Sequence, residues 1–279
     1  MDLNYQIRAK KFRAKKSLGQ NFLTDSNIID FIIERATSDD EVLEIGPGLG
    51  FVTEGLVQNA KKVVAVEIDK DAIKVLNNNL SNCSNFTLIE NDILKIDIDQ
   101  MPFKDEKIKV IANIPYYITS PILVHLLGEI DELKNKNRNR IKEIVLMVQL
   151  EVAKRICATP NSQNKEYGKL SILSQMYCDP EIIKIVPKSC FSPSPKVDSA
   201  LVKFKINNEP KVEITRLLKR TINSIFSSRR KNIKNSLQNG GFLEVEKALE
   251  KANIDKTQRG EKLSIPESQK IALAREEFN

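Results

Sequence analysis

Short runs of branched aliphatic residues recur through the first part of the chain, at Val42–Ile45, Val63–Ile68, Phe86–Ile89, Ile108–Ala112 and Ile144–Val148. Continuous apolar runs of this length, without alternation, predict strands buried on both faces. Between them, Asp71–Leu80 and Pro121–Ile130 repeat apolar residues at helical spacing. Ile28, Ile29, Ile32 and Ile33 do the same behind the cap-like Asp25 and Ser26. Strands alternating with helices predict an α/β fold around a mostly parallel sheet. Ile182–Val186 and Leu201–Ile206 flank a proline-rich loop and predict an antiparallel hairpin at the sheet edge. Beyond about residue 208 strand-like runs stop, and Thr215–Phe226, Phe242–Ala252 and Pro266–Phe278 read as helices. The expected organisation is a basic N-terminal tail over 1–20, an α/β domain over 21–208 and a small all-α domain over 209–279. The polar runs Lys134–Arg140 and Asn161–Lys165 read as solvated surface loops.

Composition narrows the class. Hydrophobic residues make up 41% and charged residues 29% of the 279 positions, which excludes disordered and collagen-like chains. The net charge of +7 is unevenly spread, with six Lys/Arg against one acid in residues 1–20. Between Ile214 and Leu243 there are seven Lys/Arg and no acid. Single basic runs are commonly solvated charge; two of them favour a surface that tracks phosphates. The longest stretch without charge, Val110–Gly128, holds Asn113, Pro115, Thr119, Pro121 and His125, too polar and too broken for a membrane helix. The lysines and arginines of the first sixteen residues leave no room for an apolar secretory segment. The four cysteines form no C-x-x-C pair and the lone His125 reads as a core residue, so no metal site is expected. Reduced cysteines fit the cytoplasm.

Glu44-Ile45-Gly46-Pro47-Gly48-Leu49-Gly50 closes the first strand. Glycines let the backbone turn sharply and approach a ligand with no Cβ in the way. The spacing departs from the G-x-G-x-x-G fingerprint, whose third glycine would fall on Phe51 or Thr53. A turn led by an acid suits a cationic ligand without phosphate, although a structural turn reads the same way. Glu67 closes the second strand, where a carboxylate can accept both hydroxyls of a ribose. Asp92 follows the third, placed to accept from an adenine amine, although acids there also serve as helix caps. Acids at the carboxyl ends of three successive parallel strands point to one cleft.

The fourth strand runs into Asn113-Ile114-Pro115-Tyr116. An exocyclic amine on an aromatic base is a weak nucleophile because its lone pair is delocalised into the ring. The Asn113 side-chain oxygen and the Ile114 carbonyl can accept its hydrogens and turn that lone pair toward an electrophile. Pro115 fixes the backbone, and the Tyr116 ring offers a stacking face worth ~1–3 kcal/mol. The competing reading is a Pro-Tyr turn in a core loop.

Taken together, Gln20-Asn21-Phe22-Leu23, E-I-G-P-G-L-G, V-E-I-D (66–69), N-D-I-L, N-I-P-Y-Y-I-T-S-P-I-L (113–123), Y-G-K-L-S (167–171) and F-S-P-S-P-K-V-D-S (191–199) follow one another in order. The chain resembles the small-subunit ribosomal RNA adenine N6,N6-dimethyltransferases, the KsgA family, from the tail to at least Arg230. That resemblance implies a Rossmann-like S-adenosylmethionine-dependent methyltransferase fold with a helical C-terminal domain. It implies dimethylation of two adjacent adenosines in the 3′-terminal hairpin of 16S ribosomal RNA, coupled to ribosome biogenesis. The family's cofactor set falls on Asn21, Leu23, Gly46, Gly48, Glu67, Asp92 and Asn113. Its transfer centre falls on Asn113, Ile114, Pro115 and Tyr116, with Phe191 stacking a flipped adenine from the other side. Arg229, Arg230 and Lys231 are the expected RNA contacts. Ile114 stands where leucine is usual, Leu150 replaces a commoner lysine, and Lys134–Arg140 is an unusual insertion. The expected enzyme is a cytoplasmic monomer acting on an immature small-subunit particle, with neither metal nor membrane. The rival readings are a large-subunit dimethyltransferase of the antibiotic-resistance type and a non-catalytic assembly factor on the same fold.

Overall fold

The five apolar runs all become strands. In the computed structural model, which describes residues 3–163, 166–207, 209–228 and 230–278, they are β2 (Glu41–Ile45), β3 (Lys62–Glu67), β4 (Phe86–Glu90), β5 (Ile108–Asn113) and β6 (Ile141–Gln149). They pair in parallel in the order β4-β3-β2-β5-β6. Val42, Leu43, Val63, Val64 and Val110 have no exposed surface, as expected of a sheet covered on both faces. β9 (Ser199–Ile206) pairs antiparallel with β6, and β7 (Cys178–Val186) forms the edge beyond it. A separate antiparallel pair joins β1 (Phe22–Leu23) to β8 (Phe191–Ser192). The chain steps outward from β2 to β4, then returns to the other side of β2 with β5. That reversal opens a crevice at the carboxyl ends of β2 and β5.

The helices follow the sequence signals. α2 (Ser26–Ile33) starts where the Asp25 carboxylate accepts from the Ile28 N–H, and it buries Ile28, Ile29 and Ile32. The first twenty residues, expected as a tail, include helix α1 (Leu3–Lys11). Ala9 is buried there, Tyr5 packs on Phe51 at 4.8 Å, and Arg8 forms a 2.6 Å ion pair with Glu54. Lys134–Arg140 is not simply a solvated loop. It contains a turn of helix in which Asn137 and Arg138 are 5% and 2% exposed. The Asn137 side chain accepts from Ile98 N–H and donates to the His125 carbonyl, while Arg138 donates to the Leu127 carbonyl. A buried chain reversal needs polar groups to satisfy its backbone, and polarity in sequence did not mean exposure here. Of the run Asn161–Lys165, residues 164 and 165 lie outside the described residues.

The chain divides into two compact units, 1–127 with 135–153 and 181–206, and 128–134 with 154–180 and 207–279. The second unit therefore takes stretches from before residue 208. Tyr167, Ile172, Met176 and Tyr177 share a core with Leu217, Leu218 and Ile222. Its later helices, among them Leu218–Ile225, Ile233–Asn239, Val245–Lys251 and Ile265–Glu276, enclose Ile233, Leu237, Phe242, Leu249 and Ile271. A Ser264–Glu267 capping box opens the last of these.

Asp40, 3% exposed, sits just before β2 and pairs with Lys142 at 2.6 Å and Lys109 at 2.9 Å. Burial alone would raise its carboxyl, but those two ammonium groups and two hydrogen bonds from Thr37 outweigh burial and hold it well below the usual range. The stability it contributes is present above the ordinary aspartate value and is lost as pH falls below about 4. Asp40→Asn should therefore destabilise the protein by about 2 kcal/mol in urea unfolding at pH 7. The difference from wild type should shrink as the measurement is moved into acid.

Candidate active site

The crevice at the sheet's carboxyl edge holds a cavity of about 320 Å³, within the range of small-molecule sites. Its walls come from the glycine turn after β2, the ends of β3 and β4, the turn after β5, and the segment around β1. Sequence positions up to about a hundred residues apart meet here because parallel strands present all their carboxyl ends on one edge.

Gly46, Gly48 and Gly50 have φ of 69°, 56° and 80°, the left-handed region that a side chain disfavours. A Cβ on Gly48 would also come within 3.1 Å of the Phe22 ring. The turn aims the Gly48 N–H at Glu67 Oε2, 3.0 Å away, while Glu67 Oε1 accepts from Ile68 and Asp69 N–H at 2.9 Å each. Burial raises the Glu67 carboxyl and these three donors oppose that rise. Asp92 lines the cavity and also caps the turn after it, accepting from Leu94 N–H at 3.1 Å. The cap and the cavity wall are one residue.

Glu44 is the unsatisfied member. It lines the cavity at 4% exposure, and its Oε2 has no hydrogen-bond partner. Burial pushes its carboxyl up to about 8, with the Thr53 hydroxyl working against the rise and the Glu67 charge adding to it.

The N-terminal segment forms another wall. Asp69, whose side chain is fully buried, takes the Lys15 ammonium and the Gln20 amide, at 2.6 Å for the latter. That anchors the chain leading into Asn21 and Leu23, both of which line the cavity. Phe191 is placed differently. It pairs with Leu23 in the β1–β8 register, is 4% exposed, and packs in the core with Phe22 and Ile29 rather than on the cavity wall. Its partner strand supplies the wall instead.

Asn113, Ile114, Pro115 and Tyr116 all line the cavity. Asn113 ends β5 opposite Met147 of β6, so its position is set by the parallel ladder. Tyr116 is held by a 2.7 Å hydrogen bond between its hydroxyl and that of Ser199, a fully buried residue at the start of β9. Burial raises the Tyr116 phenol, partly offset by this bond. Ser199 lies in the F-S-P-S-P-K-V-D-S stretch, but only pairing of β9 with β6 shows that it reaches the tetrapeptide. Tyr117, 63% exposed, also lines the cavity.

Of the basic block, Arg230 and Lys231 are exposed and Arg229 lies outside the described residues. An antiparallel bridge between Asn232 and Arg259 sets a further arginine beside them. A separation of 27 residues hid that neighbour from the sequence. Among the described residues, no helix is long and apolar enough to cross a membrane, and no cluster of His, Cys, Asp and Glu could hold a metal ion.

A family model described as ribosomal RNA adenine dimethylase matches residues 11–275. A ribosomal RNA small subunit methyltransferase A of Clostridium acetobutylicum is 41% identical over 272 residues, covering 95% of each chain. Its counterpart in Alkaliphilus metalliredigens is 43% identical, over 94% of this chain and 91% of that one. Among solved structures, a dimethyladenosine transferase from Plasmodium falciparum superposes with a TM-score of 0.73 at 27% identity, over 92% of this chain and 98% of that one. The 23S rRNA methyltransferase ErmE does so with a TM-score of 0.67 at 26% identity, over 92% and 100%. The fold is thus the Rossmann-like methyltransferase fold, with helices at the C-terminus. The motif-bearing cavity and the match along nearly the whole chain agree: this protein belongs to the ribosomal RNA adenine dimethylase family.

Proposed function

We propose that this enzyme transfers methyl groups from S-adenosylmethionine to the N6 amines of two adjacent adenosines in the 3′-terminal hairpin of small-subunit ribosomal RNA. The observation that carries this reading is the convergence of the Asn113–Tyr116 turn with three acidic strand ends on one cavity. Relatives 41–43% identical are named for the small subunit, whereas the large-subunit enzyme ErmE shares 26%.

The residues present fit the cofactor. Glu44 offers a buried carboxyl oxygen without a partner, which an ammonium group would draw into its charged form, and Glu67 offers a carboxyl at the cavity wall, suited to a diol. Asn21, Leu23, Gly46, Gly48, Glu67, Asp92 and Asn113 would hold it. When bound, it supplies a methyl group on a sulfonium centre. Asn113 and the Ile114 carbonyl accept the two hydrogens of the adenine amine and free its lone pair for attack, and the proton released after transfer passes to water. Pro115, with φ of −58° and ψ of 135°, holds that carbonyl in an extended turn. Tyr116 supplies the stacking face, and the core position of Phe191 leaves this role to the tyrosine in the geometry described. Most of the acceleration comes from positioning. Arg230 and Lys231, with Arg229, are the proposed phosphate contacts, and they carry no base specificity. This reading extends to a cytoplasmic monomer acting on an immature small-subunit particle.

Asn113→Ala should abolish nearly all methyl transfer while leaving RNA affinity intact, checked by mass spectrometry of the RNA and filter binding; unimpaired turnover would refute the role. Ser199→Ala should lower kcat about fivefold through the freed Tyr116 hydroxyl. RNA affinity should be unchanged and Ser199→Thr should restore turnover. Glu44 gives a pH test. Its carboxyl titrates at about 8 in the folded protein against an ordinary value of 4.5, so the native state retains a proton that the unfolded chain releases. Native stability therefore falls as pH rises through that window. Glu44→Gln should stabilise the ligand-free protein at pH 8 by about 4 kcal/mol, and hardly at all at pH 4. Calorimetry should show weaker S-adenosylmethionine binding in the same variant.

A further inference from the structure

The helical unit contains a buried positive charge that forms no ion pair with an acid among the described residues. Arg275, on the helix Ile265–Glu276, is 2% exposed, and its Nε and Nη1 have no hydrogen-bond partner. A guanidinium keeps its charge and carries five donors, so hiding one unpaired is costly. Its central carbon lies against the Phe242 ring, 3.0 Å from the ring centre. Arg220, exposed on the helix Leu218–Ile225, lies 4.6 Å from the centre of the same ring. Arg220 is held there by the carbonyls of Gly240 and Gly241, which accept from its Nη2 at 3.3 and 3.4 Å. Two like charges thus share one aromatic ring.

Five acids on the surrounding elements are committed elsewhere, and none of the described acids forms an ion pair with Arg275. Glu246 pairs with Lys234 and Lys256, Glu244 with Lys247, and Glu277 with Lys251. Glu276 accepts from the Leu217 N–H, and Glu267 caps its own helix through Ser264. Burial, and then the Arg220 charge, pull the Arg275 guanidinium down to about 10. Both effects have one remedy, which is an anion brought to the pair.

We propose that Arg220 and Arg275, converging on Phe242, form an anion site that takes one backbone phosphate of the RNA substrate. The planar guanidinium fork matches phosphate oxygens, and Arg220 is exposed for direct contact. Arg275 adds an uncompensated charge from beneath, which a surface lysine surrounded by water would not. The run from Ile214 to Leu243, which holds Arg220 and Phe242, contains no acid that would repel a polyanion. The inference rests on RNA being the substrate and adds a contact outside the Arg229–Lys231 block.

The test uses the full chain, Arg220→Ala and Arg275→Leu. Thermal unfolding is compared in inorganic phosphate and in chloride at matched ionic strength. RNA binding is then measured across several salt concentrations. Phosphate should raise the wild-type Tm and fail to raise that of either variant. Arg275→Leu should melt no lower than wild type in chloride, because an apolar side chain replaces a buried unpaired charge. Arg220→Ala should weaken RNA binding about tenfold and reduce the salt slope by about 1. If Arg275→Leu fails to fold, the exposed Arg220→Ala still decides the matter. RNA binding with the wild-type affinity and slope in Arg220→Ala overturns the site, even if the phosphate effect is lost, since the site would then take free anions only. A wild-type protein that binds no RNA overturns the substrate reading itself and this site with it.

Discussion

Glu67 ends β3 with 7% of its surface exposed, and its two oxygens share three backbone N–H donors from Gly48, Ile68 and Asp69. A carboxylate can be buried at that depth only if such donors replace its water. The Gly48 donor is aimed correctly because the turn adopts positive φ, so glycines and acid are parts of one arrangement. The network continues from Asp69, which takes Lys15 and Gln20 and caps the helix Lys70–Leu80 through the Asp71 N–H. Strand end, glycine turn, helix start and N-terminal segment are thereby bound into one polar frame around the cavity. Removing the Glu67 carboxylate would leave the Gly48, Ile68 and Asp69 N–H groups without that acceptor.

Glu44 stands in contrast to this satisfied frame. It is as buried as Glu67, yet one of its oxygens has no partner. The fold tolerates the cost because β2 is held on both sides, by β3 and by β5, in continuous register. Functional sites are where a protein departs from local optimisation and relies on its surroundings for support. A cavity lined by an unpaired acid is preorganised for a cation, and the ligand-free state carries the strain.

The helical unit shows the opposite sign of the same physics. Its basic residues are split between exposed groups, such as Arg230 and Lys231, and Arg275, which is hidden beside Phe242. Exposed charges act over a screened distance and gather a polyanion without selecting it. A buried one acts at close range and is indifferent to salt in the free protein.

Much of this was legible in one dimension. The uninterrupted valine and isoleucine runs determined a parallel sheet, because only strands covered on both faces use such runs. The glycine turn, Glu67, Asp92 and the Asn113–Tyr116 turn declared themselves because each follows a strand, and parallel strands end on one edge. What tertiary structure alone decided depends on pairings between distant segments. Ser199 meets Tyr116 because β9 lies antiparallel on β6, and Arg259 adjoins the basic block through a bridge to Asn232. Phe191 enters the core because β8 pairs with β1, and Asn137 and Arg138 are buried within a run whose composition reads as surface. Periodicity reports which face of its own element a residue occupies. It carries no information about what another part of the chain brings against that face, and burial is a property of the pair.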